Sequence, residues 1–279
     1  MNDRGTVADL IHQARREGWA MGQFNMSSLD TLHGIVDAAN DTQLPCLVGV
    51  SMGTLCYAGM EYIAGLMRAA RAQATMPLYF HLDHGADLDV VRRAIDAGFD
   101  SVMIDTSMLP YAENVARVRE TAEVTRAHGV ALEAQLGETL DEETGAGAQL
   151  DTDPADVQRF VTETGIDYLA CSFGNAPGTG VGTSDPDRNL IERIGRASPV
   201  PLVVHGGTSL SDDMTRFAIR CGAAKINIDT WIRRAVSRTL TRCYSNGASV
   251  SDPRIPFKQV RAAVAAAVTE KLRLFRSAK

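Results

Sequence analysis

Short apolar segments recur along the whole chain, and amphipathic segments separate them. The apolar segments are rich in aliphatic side chains and end beside polar residues or glycine, which is typical of buried β-strands. Eight such segments lie at 20–25, 45–50, 77–82, 101–105, 130–136, 168–172, 202–205 and 224–228.

The segment 87–98 illustrates the helical pattern between the strands. Asp87 can cap its N-terminus, apolar residues follow at the spacing of one helical face, and Gly98 can end it. Eight strands that alternate with such helices predict an α/β fold, a (β/α)8 TIM barrel. An open doubly wound sheet is the alternative, but it would be expected to carry a glycine fingerprint after the first strand, and 26–29 contains no glycine.

The end of the chain differs from the repeating unit. A polar segment at 245–256 precedes an alanine-rich helix predicted at 257–276. We therefore expect a single barrel domain over 1–279, with a last helix that packs on the barrel or on a neighbouring subunit.

Polar side chains gather at the ends of the predicted strands. They are Asn25, Ser51, Asp83, His84, Asp105, His205, Asn227 and Asp229. Barrel enzymes build their active sites at the carboxyl ends of the strands, so this placement predicts a site there. For asparagine and aspartate, capping of the following helix is the alternative.

The run from His81 to His84 is the most informative of these positions. Alternation along a strand points His81 and Asp83 one way and Leu82 and His84 the other, until the following loop breaks the pattern. An imidazole beside a carboxylate suits a metal ligand next to a general acid/base. It also suits a hydrogen-bonded polar plug, and the tetrapeptide alone does not separate these two.

Composition narrows the classes of partner. The 279 residues carry a net charge of -6 without a long basic run, which argues against nucleic-acid binding. No stretch approaches about 18 uninterrupted apolar residues, so we expect no membrane span. The start lacks the apolar core of a signal peptide, and five cysteines without a CxxC pair favour reduced, buried thiols and a cytoplasmic location.

Two long segments follow predicted strands. Residues 137–152 are acidic and contain glycine, and residues 174–186 are rich in glycine. Each is either a mobile lid over the site or a tolerated surface insertion.

Five blocks of sequence together resemble the class II, metal-dependent fructose- and tagatose-bisphosphate aldolases, and the similarity runs from about residue 22 to 232. The blocks are His81-Leu-Asp-His84, Ser101-Val-Met-Ile-Asp105, Leu132-Glu-Ala-Gln-Leu-Gly137, Val203-Val-His-Gly-Gly207 and Lys225-Ile-Asn-Ile-Asp-Thr230. The resemblance implies reversible carbon–carbon cleavage of a phosphorylated ketose through an enediolate. It also implies a homodimer or homotetramer.

The resemblance implies a role for each matching residue. Asp83 would be the acid/base carboxylate, His84 and His205 would bind zinc or another divalent metal, and Glu143 would move the substrate proton. The residues expected to hold the substrate and its phosphate are Asn25, Ser51, Gly178, Gly206, Gly207, Thr208, Asn227, Asp229 and Thr230.

The chain departs from the family pattern at two positions. Pro177 stands where the family has a further zinc histidine, and Gln135 stands where some members have a metal-contacting glutamate. Catalytic zinc sites usually have three protein ligands. Residues that would be considered as a replacement ligand are His81, Glu133, Cys171 and Asn175, whereas His12, His33 and His128 fall in helical segments and are expected to be solvated.

Three hypotheses follow for the function. The first is a metal-dependent aldolase with an altered site. The second is an aldolase-fold enzyme that lost zinc and performs metal-free aldol, isomerase or dehydratase chemistry. The third is a non-catalytic phosphosugar-binding protein. Lys225 is the only lysine in the predicted barrel, so Schiff-base chemistry has one candidate.

Overall fold

The computed structural model describes residues 6–138, 150–174, 186–245 and 251–277. Its eight strands are parallel and close into a barrel in their order along the chain. They are β1 Met21–Asn25, β2 Cys46–Ser51, β3 Leu78–Gly85, β4 Ser101–Ile104, β5 Ala131–Leu136, β6 Tyr168–Cys171, β7 Leu202–Val204 and β8 Ala223–Ile228. The predicted TIM barrel is confirmed, and β3 alone runs well past its predicted end.

Helices surround the barrel. Within the described ranges they are α1 Val7–Glu17, α2 Leu29–Thr42, α3 Met52–Ala58, α4 Met60–Gln73, α5 Leu88–Ala97, α6 Tyr111–His128, α7 Pro154–Thr164, α8 Arg188–Ala197, α9 Asp212–Arg220, α10 Thr230–Ser245 and α11 Arg254–Arg276. No helix in this part of the chain is both long enough and apolar enough to cross a bilayer.

Alternate residues of each strand face the helices or the barrel interior. On β3, Phe80 and Leu82 join the apolar layer between sheet and helices. His81 and Asp83 lie between them and hydrogen-bond to side chains of other strands inside the barrel. The barrel interior is therefore partly polar, and this polarity rises toward the carboxyl ends of the strands.

Helix α1 covers the opposite end of the barrel. Its Val7 and Ile11 pack in an apolar cluster with Met21, Ala131 and Tyr168, which begin or nearly begin their strands. Apolar groups fill the amino-terminal end of the barrel, so a polar site is expected at the carboxyl-terminal end.

Helix α11 packs along α2. Gly34 of α2 allows this contact, because a Cβ built there would lie 2.8 Å from Val264 Cβ and from the Arg261 carbonyl oxygen. Arg261 also binds both carboxylate oxygens of Asp37, at 2.5 and 2.7 Å.

The expected polar segment at 245–256 is too long, since α11 begins at Arg254 and Pro256 lies in its first turn. Proline is tolerated there because a first-turn residue needs no N–H donor.

The cysteines follow the expectation only in part. All five are free thiols, and Cys46 and Cys171 are buried. Cys56 is exposed on α3, so not every thiol serves as a small core side chain.

Candidate active site

The carboxyl ends of four strands bring five predicted residues into one cluster. Asn25 ends β1, Asp83 and His84 lie near the end of β3, His205 follows β7, and Asn227 lies on β8. The Asn25 amide Nδ2 donates to Asp83 Oδ2 at 2.7 Å, and the Asn227 Nδ2 donates to Asp83 Oδ1 at 3.3 Å. Both oxygens of the buried carboxylate thus accept a hydrogen bond.

His84 reaches this cluster because the backbone leaves the regular strand conformation. Its φ is 52°, in the left-handed region, and the pairing of β3 with β4 shifts between Leu82 and Gly85. The ring therefore does not follow Leu82 toward the helices, and its Nε2 lies 3.0 Å from Nδ1 of His205. The expected break in the alternation occurs at this residue, but inside β3 and not in the loop that follows it.

A carboxylate fixes the tautomer of each histidine. His84 Nδ1 lies 2.6 Å from Asp105 Oδ2, and His205 Nε2 lies 2.7 Å from Glu133 Oε1. A carboxylate only accepts, so each of these ring nitrogens carries a proton. The other nitrogen of each ring then directs its lone pair toward the other ring. Two lone pairs at this separation need a proton or a cation between them.

Burial and neighbouring charges shift the pKa values in this cluster. Burial alone would lower the pKa of His84, but the hydrogen bond that its ring donates to Asp105 and the charge of Asp83 raise it to about 10. Burial alone would raise the pKa of Asp83, but the neighbouring positive charges, that of His84 first, lower it. The site therefore holds Asp83 as a carboxylate and favours positive charge between the two rings.

The donor set fits a divalent metal. One ligand atom each from Asp83, His84 and His205 all lie within 4.8 Å of one another. Imidazole nitrogens with a carboxylate oxygen are ligands for zinc and related ions, and carboxylate partners behind the histidines are typical of such sites.

The other residues considered as replacement metal ligands do not join Asp83, His84 and His205, as far as the structure describes them. His81 lies deeper, with Nδ1 at 2.8 Å from Ser101 Oγ, and burial lowers the pKa of its ring to about 3. Cys171 faces the apolar layer between sheet and helices. Glu133 supports His205 from behind, while Asn175 lies outside the described residues.

A buried ion pair lies beneath the cluster. Lys225 Nζ is 2.8 Å from Glu133 Oε2 and 2.8 Å from Asn227 Oδ1, and both charged side chains are fully buried. Both contacts engage the Lys225 amino group, which counts against its use as a Schiff-base nucleophile. Sequence reasoning missed its role and that of Glu133, because their partners lie on distant strands.

The region after β7 and β8 contains the residues predicted to hold phosphate. Gly207 and Thr208 form a buried turn of 3-10 helix that follows Gly206, and Thr208 Oγ1 accepts a hydrogen bond from the backbone N–H of Trp231 at 3.3 Å. Thr230 begins α10. In barrels, the loops after the seventh and eighth strands and a nearby helix N-terminus commonly bind phosphate.

A cavity of about 340 Å³ opens beside Asn25, between the ends of β1, β2 and β8. It is lined by Asn25, Met26, Ser27, Ser51, Gly53, Thr54, Tyr57, Asp229 and Arg233. Ser51 also caps α3, since its Oγ accepts from the Thr54 N–H at 3.2 Å. Arg233, which pairs with Asp229 at 2.6 Å, is the cation of this cavity lining that sequence reasoning missed. Its spacing of four residues from Asp229, about one helical turn, was the available signal in the sequence.

Several predicted residues lie outside the cluster or outside the described residues. Glu143, Pro177 and Gly178 fall in the latter group, as do most of the two long segments. The expected solvation of the helical histidines holds for exposed His128. It does not hold for half-buried His12, whose ring contacts the Asp167 carbonyl oxygen at 3.1 Å, or for half-buried His33.

The fold and the site define a barrel enzyme with a histidine–carboxylate cluster at the carboxyl ends of its strands. The chain matches the family model described as fructose-bisphosphate aldolase class-II over residues 5–279. A fructose-bisphosphate aldolase of Staphylococcus aureus (strain Mu50) is 34% identical over 277 residues, covering 97% of this chain and 96% of that protein. The YdjI aldolase from Escherichia coli K12 has a crystal structure with a TM-score of 0.85 and 27% identity, covering 98% of this chain and 97% of that one. The chain therefore belongs to the class II fructose-bisphosphate aldolase family and is an aldolase-like lyase.

Proposed function

We propose that this protein is a metal-dependent aldolase that reversibly cleaves a phosphorylated ketose. The observation that carries the proposal is the convergence of His84 Nε2, His205 Nδ1 and the Asp83 carboxylate at the carboxyl ends of the strands. Family membership supports the reaction class.

His84 and His205 would hold the ion, and Asp83 is the third group within reach of it. When bound, a divalent ion would polarise the substrate ketone and stabilise the oxyanion that develops on cleavage. Pro177 would then mark the loss of one histidine relative to the family, with the two remaining rings fixed by Asp105 and Glu133.

Asp83 would move the hydroxyl proton of the substrate. It is ionised, because neighbouring positive charge lowers its pKa, and the amides of Asn25 and Asn227 fix the direction of both oxygens. A carboxylate held in this way is oriented to accept a proton from a hydroxyl next to the bond that breaks. Glu143 is proposed to exchange the proton at the carbon, on the basis of the resemblance alone.

The two ends of the substrate would be recognised on either side of the cluster. A phosphate would bind near Gly206, Gly207, Thr208 and Thr230, where the turn after β7 meets the start of α10. The cavity that contains Ser51 and Arg233 offers a hydroxyl and a guanidinium to a second anionic end. This arrangement favours a ketose with phosphate at both ends.

The direct test is cleavage of fructose 1,6-bisphosphate and tagatose 1,6-bisphosphate, followed by coupled detection of triose phosphate. Asp83→Ala is expected to lower turnover by about 10²- to 10⁴-fold, the usual contribution of general acid–base catalysis. Asp89→Ala, on the exposed face of α5, is the matched control and is expected to retain activity. Full activity in Asp83→Ala would overturn the acid/base role.

Loss of the zinc site is the second hypothesis, and the substitution of proline at position 177 favours it. The cluster would then use the proton held between His84 and His205 as a general acid. This alternative predicts turnover that neither chelators nor added metal change.

A further inference from the structure

We propose that Gln23 is a positioning residue for Asp83 and that it acts through Asn25. The inference rests on the proposed function, since it concerns the carboxylate expected to move the substrate proton. It starts from a chain of hydrogen bonds that runs up the inside of β1.

Gln23 and Asn25 are two residues apart on β1, so both face the barrel interior. The Gln23 Nε2 donates to Asn25 Oδ1 at 3.0 Å, and the Asn25 Nδ2 donates to Asp83 Oδ2 at 2.7 Å. An ionised carboxylate only accepts, so Asn25 must direct its NH2 group at Asp83. Its carbonyl oxygen then faces Gln23, and only a donor there stabilises this orientation.

The neighbouring strand carries the same arrangement. On β8, Lys225 Nζ donates to Asn227 Oδ1 at 2.8 Å, and Asn227 Nδ2 donates to the other oxygen of Asp83 at 3.3 Å. Each oxygen of Asp83 thus receives one amide, and each amide is oriented by a donor two residues earlier on its own strand. The pairing of β1 with β8 places Gln23 directly opposite Asn227.

Two features indicate that the interior is shaped around the Gln23–Asn25 pair. The Gln23 Oε1 is fully buried and has no hydrogen-bond partner among the described residues, which native cores rarely tolerate. The unfavourable position of this oxygen accompanies the orientation in which the Gln23 Nε2 donates to Asn25. Gly49 of β2 lies opposite Asn25, and a Cβ there would overlap Asn25 Oδ1 and lie 2.6 Å from Gln23 Nε2. The missing side chain at Gly49 therefore makes room for both amides.

Removal of the Gln23 donor should release the Asn25 amide. Rotation of the amide would direct Oδ1 at Asp83, where two oxygens repel each other, and the carboxylate would lose its fixed direction. Misplacement of a reacting group by about an ångström costs on the order of 100-fold in rate. We therefore expect kcat to fall while substrate and metal still bind.

The test uses Gln23→Met, which keeps the length of the side chain but removes its donor. We expect a fall in kcat on the order of 10- to 100-fold, larger than any change in KM, with the metal retained because His84 and His205 are unchanged. In the background of Asn25→Ala, the same substitution should cost nothing more, because Gln23 acts only through Asn25. Gln158→Met, on the exposed face of α7, is the control for the chemical change. Unchanged kcat in Gln23→Met, or an equal loss in both backgrounds, would overturn the proposal.

Two further measurements keep the outcome interpretable. Gly49→Ala displaces Asn25 from the other side, so it should reproduce the loss of kcat if Gln23→Met fails to fold. The side-chain amide protons of Asn25 should exchange slowly in the wild-type protein by NMR and rapidly in either variant. If the wild-type protein cleaves no ketose phosphate, the proposed function fails, but slow exchange that is lost in the variants would still support the hydrogen-bonded chain. Equal exchange in all proteins would refute it.

Discussion

At the scale of single residues, the sequence identified the groups with chemistry and their neighbours at the strand ends, but not the roles of the buried residues beneath them. Asp83, His84 and His205 stood out because they fall at strand ends and match a family motif. Glu133 and Lys225 did not, because their role arises from contacts between strands far apart in the chain. The ring of His84 joins the site through a left-handed backbone conformation that alternation alone does not predict.

Asp105 is expected to set the metal affinity through His84. Asp105→Asn replaces the charged acceptor at 2.6 Å from Nδ1 with a neutral amide, so the proton on that nitrogen is held less firmly. We expect metal affinity to fall by about 10- to 100-fold, as for other residues that orient metal-binding histidines. Competition with a chromophoric chelator measures this change. Asp89→Asn is the control, and equal affinity in Asp105→Asn and the wild type would contradict the role.

Lys225 is expected to matter for stability because it neutralises Glu133 inside the barrel. Lys225→Met removes one partner of a fully buried pair and leaves the other charge uncompensated. The free energy of unfolding should fall by about 3–5 kcal/mol. Urea denaturation measures it, with the exposed Lys258→Met as control. A loss as small as that of the control would show that Glu133 needs no cation beside it.

At the scale of elements, the strands were predictable and the helix boundaries near the end of the chain were not. Buried parallel strands are short apolar runs, and the sequence shows each of them. The start of α11 was placed too late because Pro256 resembles a helix breaker, although proline fits the first turn. The contact of α11 with α2 depends on Gly34, whose small size has no signature in the local pattern.

Two helical glycines are expected to respond in opposite ways to substitution by alanine, because only Gly34 lies against another helix. Gly34→Ala puts a methyl group 2.8 Å from Val264 Cβ, and overpacking of this kind costs about 1–3 kcal/mol. Gly65→Ala in α4 meets nothing closer than 3.9 Å, so the better helix propensity of alanine should stabilise the protein by up to about 1 kcal/mol. Thermal and urea unfolding compare the two variants. Stabilisation by Gly34→Ala would contradict the close contact between α2 and α11, because the added methyl group would then have room.

At the scale of the whole molecule, the barrel explains why the site lies where it does. Helix α1 closes the amino-terminal end with apolar side chains, and the polar residues of β1, β3 and β8 meet at the other end. The repeating strand–helix pattern was sufficient to predict this architecture. The polar network inside the barrel was not predictable, because each of its bonds joins residues that the closure of the sheet brings together.

The measurement that tests the account most directly is the metal content of the protein purified without chelator, by elemental mass spectrometry. We expect about one divalent ion per chain, lost in His84→Ala and in His205→Ala but retained in His128→Ala, which changes an exposed histidine of α6. Turnover should fall on chelation and return on addition of the metal. A protein without metal, whose activity neither chelation nor added metal changes, would contradict the proposed metal-dependent aldolase.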